Sequence, residues 1–257
     1  MIYDKNIRTA LYNLKKLMNP HGVTVAVNNQ KITFQTGTLS FKFNIASAEY
    51  DFTATPEISV ISEDYLFTVP EKIAGIILSK LNLNAKIFAR NCEVKKIDRQ
   101  IAESFLNNWH LMGATQSGFN RGLFYKDELM AVSSFSKGRK MDRLPEDERS
   151  FELIRFCCKP GITVTGGLTK LVKNFFVEKK AGDIMTYVDK QMSDGRSFLS
   201  AGFKKHSETE TNYFLIHRKT FARTIIKDPT EKFDNKTFYK TRNFGSIKMI
   251  FTLREKL

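Results

Sequence analysis

The stretch FELIRFCCKPGITVTGGLTKLVKNFF, residues 151–176, decides how the chain is read. It has the pattern of a strand over 151–158 that breaks at Pro160-Gly161 and restarts as a helix over 167–180, after Gly166-Gly167. Free backbone N–H groups and the helix dipole at such a turn favour an anion, and paired glycines let another group approach the backbone closely. The partner of that turn decides whether the protein is an enzyme, a nucleic-acid binder, or both.

Bulk composition narrows the choice. The 257 residues are 42% hydrophobic, enough for one large or two small domains. Forty-one basic side chains face 27 acidic ones, and the net charge of +14 predicts attraction to polyanions, nucleic acid first and an anionic membrane second. Residues 204–257 carry 13 Lys/Arg against 6 Asp/Glu, half of the whole excess. Tyr213, Phe214, Phe221, Phe233, Phe238, Tyr239, Phe244 and Phe251 are interleaved there. Such rings serve either as stacking surfaces for bases or as the buried faces of strands. No 18-residue apolar run is present and Met1 is not followed by a signal-like segment, which predicts a soluble, intracellular protein. Cys92, Cys157 and Cys158 form no CxxC pair and read as reduced thiols rather than a disulfide framework or zinc site.

Working outward, residues 4–18 place Ile7, Leu11, Leu14 and Met18 at helical spacing before Asn19-Pro20. VTVAV, KITFQ, LSFKFNI and EISVIS read as a small antiparallel sheet. VPEKIAGIILSKLNL reads as a helix with Pro70 in its first turn, packing Ile73, Ile76, Ile77 and Leu81. These residues form an α+β N-terminal domain over 1–85. KIFARNCEVKKI (86–97) then reads as one β-run, followed by a helix capped by Asp98 that ends at Trp109-His110. A hairpin turns at Lys126-Asp127, and 137–150 is a mixed-charge loop. After the 151–180 strand and helix come the strand DIMTYVD, a short helix in GRSFLSAGF, and two or three more β-runs. From residue 86 the order is β-α-β-β-β-α-β-α-β, a mixed sheet with helices on its faces, with the basic C-terminal extension assigned to this 86–257 domain.

Hairpin, strand ending in Pro-Gly, glycine turn, helix, strand and SFLSAGF together look like the acyltransferase fold of the GNAT superfamily. The resemblance implies a strand splayed from its neighbour, with pantetheine in the gap and a pyrophosphate on the glycine turn. It implies acetyl-CoA or a related acyl-CoA as cofactor, bound at Cys157, Thr165, Gly166, Gly167 and Leu168. The turn departs from the superfamily pattern, with Thr163 in place of Gln or Arg and Leu168 in place of the last glycine or alanine. A narrower resemblance runs over residues 58–253. NNWHLMGATQSGFNRGLFYKDELMAVSSFSKGR, FELIRFC, VTGGLTKL, TYVDKQMSDGRSFLSAGF and NFGSIKM are similar to a phage-encoded domain. That domain occurs in Mom-type DNA-modification proteins and, behind a nuclease, in Hef-like homing endonucleases. The Mom-type resemblance implies modification of adenine in duplex DNA against restriction, in the host-cell cytoplasm.

The candidate catalytic residues are His110, Asp189, Arg155 and Tyr187. His110 stands where the family motif has an aromatic-His or Asn-His pair, as a general base or metal ligand or else as a packed histidine. Asp189 occupies the family's Tyr-Ala-Asp position at a strand's C-terminal end, where open sheets bind ligands; the bland alternative is a cap for the following turn. Arg155 either binds phosphate or fixes Asp189 through a forked pair. The odd offset of Glu152 and Arg155 predicts opposite faces. Tyr187 shares the face of Asp189. Lys190, Arg196, Lys204 and Lys205 are the candidates for DNA phosphate contacts. Glu49, Asp51 and Glu57 lack the lysine that a PD-(D/E)xK nuclease places two residues beyond its acid, so no nuclease is read in the first part. A Cys-His nucleophile is also unsupported, since Cys157 and Cys158 lie within an apolar strand. Two functions remain: a Mom-type, acyltransferase-like enzyme acting on nucleobases in DNA, or a non-catalytic DNA-binding module.

Overall fold

The computed structural model describes residues 5–28, 31–48, 50–52 and 59–253, with the side chains of 5 and 6 left out. Glu49 and Glu57 lie outside the described residues. In chain order the elements are α1 (Lys5–Met18), β1 (Thr24–Asn28), β2 (Lys31–Thr36), β3 (Leu39–Ala46), β4 (Ser59–Ser62), α2 (Glu63–Thr68) and α3 (Pro70–Lys80). Next are β5 (Ala85–Phe88), β6 (Glu93–Lys96), α4 (Arg99–Trp109), β7 (Phe119–Tyr125), β8 (Glu128–Phe135), β9 (Ser150–Cys158), β10 (Ile162–Thr165) and α5 (Gly167–Lys179). The chain continues with β11 (Asp183–Asp189), α6 (Arg196–Ser200), β12 (Lys204–Glu208), β13 (Tyr213–His217), β14 (Arg223–Ile226), β15 (Phe238–Arg242) and β16 (Ser246–Phe251).

Two compact units share these elements: Met1–Leu83 with 189–194 and 209–246, and 84–188 with 195–208 and 247–257. In the first, α1 buries Ile7, Leu11, Leu14 and Met18 along one stripe, as their spacing requires. Pro70 opens α3, which buries Ile73 and Ile77. β1, β2 and β3 are antiparallel, but β4 joins β3 in parallel, Phe43 opposite Ser59 through Ala46 opposite Ser62. This corrects the all-antiparallel reading, because a long connection separates β3 from β4 and a parallel pair needs such a crossover. The short helix α2 was not expected.

Residues 209–246 correct a larger point. Expected as an extension of the second domain, they form the antiparallel sheet β14–β13–β15 and cluster with the first unit. Phe221 stacks on Phe67 at 3.8 Å, Phe244 meets Phe52 at 5.3 Å, and Arg242 Nη2 donates to the Phe52 carbonyl at 2.6 Å. These contacts span well over a hundred residues of sequence, so no local pattern announces them.

The second unit holds the expected mixed sheet with helices on its faces. Seven strands run in the order β12-β16-β11-β9-β8-β7-β6. β9 and β11 are parallel, while β6 through β9 form an antiparallel run. Lys126 and Asp127, at φ +50° and +61°, make the primed turn of the β7–β8 hairpin. α5 packs Leu171 with Ala131, whereas α4 packs Phe105 and Leu106 with Val132. Successive strand residues point to opposite faces, so the two helices cover opposite sides of the sheet. Asp98 stands at the α4 N-cap, but its side chain makes no capping hydrogen bond.

The run 86–97 is not one strand. A 3-10 turn at Ala89–Asn91 divides it: β6 forms an edge of the large sheet, and β5 pairs in parallel with β10. β10 itself interposes a strand between Pro160-Gly161 and the glycine pair. Its four residues, ITVT, carry β-branched side chains suited to a strand, but their partner lies far upstream in β5.

Candidate functional site

A fork between β9 and β11 is the centre of the second unit. The strands pair only at Ser150–Asp183, Phe151–Ile184 and Glu152–Met185, then separate. Thr186 Oγ1 donates to the Leu153 carbonyl at 2.9 Å across the apex. On β9 the register against β8 slips between Arg155–Ser134 and Leu153–Phe135, leaving Ile154 as a bulge. The bulge shifts the side-chain alternation: Leu153 and Phe156 both meet the α5-side core, while Cys157 packs toward α4. Glu152 and Arg155 therefore share a face, contrary to the opposite faces expected from their odd offset.

α5 is preceded by its N-cap Gly166, whose φ of +77° is left-handed and whose backbone is exposed. No side chain caps this end, so the first-turn N–H groups lack a capping acceptor. An uncapped helix N-terminus favours an anion such as a phosphate, with Thr165 and Gly166 the exposed residues before it. Gly167 and Leu168 are engaged in packing. A Cβ on Gly167 would lie 3.0 Å from the Val164 side chain and 3.1 Å from Leu123, so this glycine lets the helix pack onto β10 and β7 rather than admitting an anion. Leu168 is buried in the core. Cys157 Sγ donates to the Cys158 carbonyl at 3.3 Å, leaving its backbone as its contribution to the fork. Lys170 Nζ reaches back to the carbonyls of Ala89 (2.9 Å) and Cys92 (2.5 Å), fastening the 89–92 turn beside the helix start. Burial raises the Cys92 thiol pKa, with the Lys170 charge offsetting part of the shift.

Arg155 acts on the other face. Its Nε donates to the Gly113 carbonyl at 3.1 Å and its Nη1 to the Ile154 carbonyl at 2.9 Å. The guanidinium thus ties the bulge of β9 to the turn after α4. That turn carries His110, whose Nδ1 accepts the Met112 N–H at 3.2 Å and whose carbonyl accepts the Gly113 N–H at 3.0 Å. Nδ1 is thereby engaged as an acceptor within the turn. The structure therefore brings together Arg155 and the His110 turn.

Asp189 belongs to the first unit and is held within its own turn: Oδ1 accepts the Gln191 N–H at 2.8 Å, and its carbonyl accepts Met192 and Ser193. Burial raises its pKa, while the Gln191 N–H and the Arg223 charge pull the other way. This is the turn-capping alternative. Tyr187, in the second unit, is 42% exposed. Lys190 is half-buried in the first unit; Arg196, Lys204 and Lys205 are exposed in the second, with Lys205 paired to Glu208 at 2.5 Å. The C-terminal aromatics serve packing: Phe214 lies 4.6 Å from the Arg223 guanidinium, Phe238 meets His217 edge-on, and Tyr239 and Phe251 are buried.

One polar network was missed. Asp64, 2% exposed, holds Arg223 through two hydrogen bonds of 2.7 and 2.9 Å, with the guanidinium 4.6 Å from the Tyr65 ring. Burial would lower the Arg223 pKa, but the Asp64 carboxylate, together with Tyr65 and Tyr239, more than offsets it. Burial, and then the Glu63 charge, raises the Tyr239 hydroxyl far above its ordinary range. The buried acids follow one another in α2, and no local signal marks them. Among the described residues, no group of three His, Cys, Asp or Glu side chains could hold a metal ion.

No family model and no curated protein matches the chain. Solved structures that resemble it include a Bacillus subtilis acetyltransferase in complex with CoA, at 14% identity and a TM-score of 0.37, covering 63% of this chain and 99% of that one. A GNAT family acetyltransferase from Elizabethkingia anophelis with acetyl-CoA bound matches at 12% identity and 0.35, covering 63% and 99%. The ribosomal-protein-S18-alanine N-acetyltransferase from Escherichia coli matches at 11% and 0.39, covering 65% and 98%. Each is similar in its arrangement of sheet and helices, and nothing about this chain's activity rests on them.

Proposed function

We propose that this protein is a GNAT-like group-transfer enzyme of the Mom type that modifies nucleobases in DNA, as a phage protein acting in the host cell against restriction. The observations that carry the reading are the β9–β11 fork and the uncapped N-terminus of α5. Acyl-CoA would supply an activated carbonyl on a thioester. The α5 first turn would hold its phosphates through backbone N–H groups, and the edge of β9 beyond Ile154 would take its amide arm. Arg155 holds the turn that carries His110 to the bulge of β9, and this would keep the imidazole beside the fork. A base must leave its stack to reach the fork, at a cost of a few kcal/mol that backbone binding has to offset. The net charge of +14 supports that binding. The DNA-binding module is favoured by one observation, the engagement of Asp189 in its own turn.

The test is mass spectrometry of nucleosides from duplex DNA incubated with the protein and acetyl-CoA, and from cells expressing it. A mass-shifted nucleoside is expected. Unmodified DNA from a preparation that binds DNA would make the binding module the correct reading. Binding itself should be salt-dependent. Four phosphate contacts, by Lys190, Arg196, Lys204 and Lys205, predict an affinity loss of about 100-fold between ~50 and ~200 mM salt. A salt-independent affinity would remove DNA as the partner.

A further inference from the structure

We propose that the exposed edge of β1 pairs with the same edge of a second copy of this chain, joining two N-terminal sheets into one across a two-fold axis. β1 ends the sheet β1-β2-β3-β4, and no described residue pairs with its outer side. Four of its five residues are exposed, Val27 at 49%. Sheet edges are ordinarily guarded by charge, proline or a bulge, because a row of free N–H and C=O groups is a template for another strand. The edges of the large sheet follow that rule. β12 carries Lys204, Lys205 and a register shift, and β6 carries Glu93, Lys95 and Lys96. β1 reads Thr-Val-Ala-Val-Asn, with no charge, no proline and an unbroken register against β2.

The strand selects its own copy as partner. A two-fold contact demands a surface complementary to itself. Asn28 pairs with Lys31 and two residues separate them, the spacing at which the flanking pair exchanges hydrogen bonds. By alternation Ala26 and Thr24 also bond inward to β2, so the N–H and C=O of Val25 and Val27 face outward. Antiparallel pairing centred on Ala26 then sets Val25 against Val27 of the partner subunit and makes about four backbone hydrogen bonds. Thr24 meets Asn28 of the partner subunit, and the two small Ala26 side chains meet on the axis. The strand is nearly the same read in either direction, so like meets like, and no two equal charges are opposed although each copy carries +14. Pairing also covers Val27, whose side chain lies on the face of the buried Ile32 and Phe34. A charged peptide would find no opposite charge on this strand. Five residues a side make a small interface, so a reversible dimer is expected.

Sedimentation velocity of the full-length, nuclease-treated protein over a series of micromolar concentrations tests this. A monomer–dimer equilibrium is expected. Because two copies at +14 repel, added salt should strengthen it, the opposite of DNA binding. Amide exchange at Val25 and Val27 should slow as concentration rises, while exchange at the inward Ala26 holds. Ala26→Lys changes an exposed side chain and sets two equal charges face to face on the axis, so association should weaken at least ~10-fold. Val27→Pro removes an outward donor that β2 does not use, a change an edge strand tolerates, and should weaken association likewise. Gln35→Lys adds the same charge to an inner strand of the same sheet and should leave association nearly unchanged. Circular dichroism checks that each variant is folded. Three results would overturn the proposal: a monomer at every concentration, association that weakens with salt, or a dimer that survives both Ala26→Lys and Val27→Pro. Base modification does not depend on this edge, so the dimer and the transfer reading fail separately.

Discussion

Replacing Gly167 by valine separates two roles for the glycine pair. If Gly167 exists to admit an anion, the variant folds normally and loses only ligand. The geometry points elsewhere. The new Cβ would sit 3.0 Å from Val164 Cβ and Cγ1 and 3.1 Å from Leu123 Cδ1, and both neighbours are buried, at 5% and 0% exposure. Valine adds two further methyl groups beyond that Cβ, with β10 and β7 on either side. Overpacking of this kind costs about 1–3 kcal/mol. Valine's better helix propensity than glycine returns only a few tenths of ~1 kcal/mol. A net loss of about 2 kcal/mol is expected. Gly166→Ala is the control: its Cβ clears Ala89 at 3.6 Å, but φ of +77° imposes a left-handed backbone worth about 1–2 kcal/mol. Urea unfolding followed by circular dichroism measures both, and calorimetry with acetyl-CoA on the folded proteins measures binding. An unchanged urea midpoint for Gly167→Val, together with lost acetyl-CoA binding, would refute the packing role.

Asp189→Asn keeps an Oδ1 acceptor for the Gln191 N–H while removing a charge whose pKa burial has raised. A carboxyl with a raised folded pKa binds its proton more tightly in the folded state, so its stabilising contribution is complete below the unfolded value and is lost as pH rises through the folded one. Thermal unfolding should therefore show the variant at least as stable as the parent at pH 7, with the gap closing below about pH 4; a variant that is less stable only at pH 7 contradicts this. Arg155→Lys cannot reproduce both the Gly113 and Ile154 bonds, so about 1–2 kcal/mol should be lost. Amide exchange at Gly113 and Ala114 should quicken while α5 exchange holds, and equal exchange in the 110–114 turn would remove Arg155 as its anchor.

Much of the second unit follows from local sequence. The hairpin at Lys126-Asp127, the strand 150–158, the helix after Gly166 and the strand ending at Asp189 each carry their own period and punctuation, so these elements fell where expected. So did the amphipathic stripe of α1. What the sequence could not contain was partnership. β10 becomes a strand because β5 lies beside it, and residues 209–246 join the first unit because Phe52, Asp64 and Phe67 receive them. The same holds at the site. Alternation along β9 is a local rule, but the bulge at Ile154 is set by its register with β8, and that register moves Arg155 to the face of the His110 turn. Gly167 looks locally like any glycine before a helix, and only the neighbouring Val164 and Leu123 make it a packing residue. Periodicity and turn chemistry act over a few residues and are written in order along the chain. Pairing, register and close contact depend on which distant segments meet, and tertiary structure alone decides that.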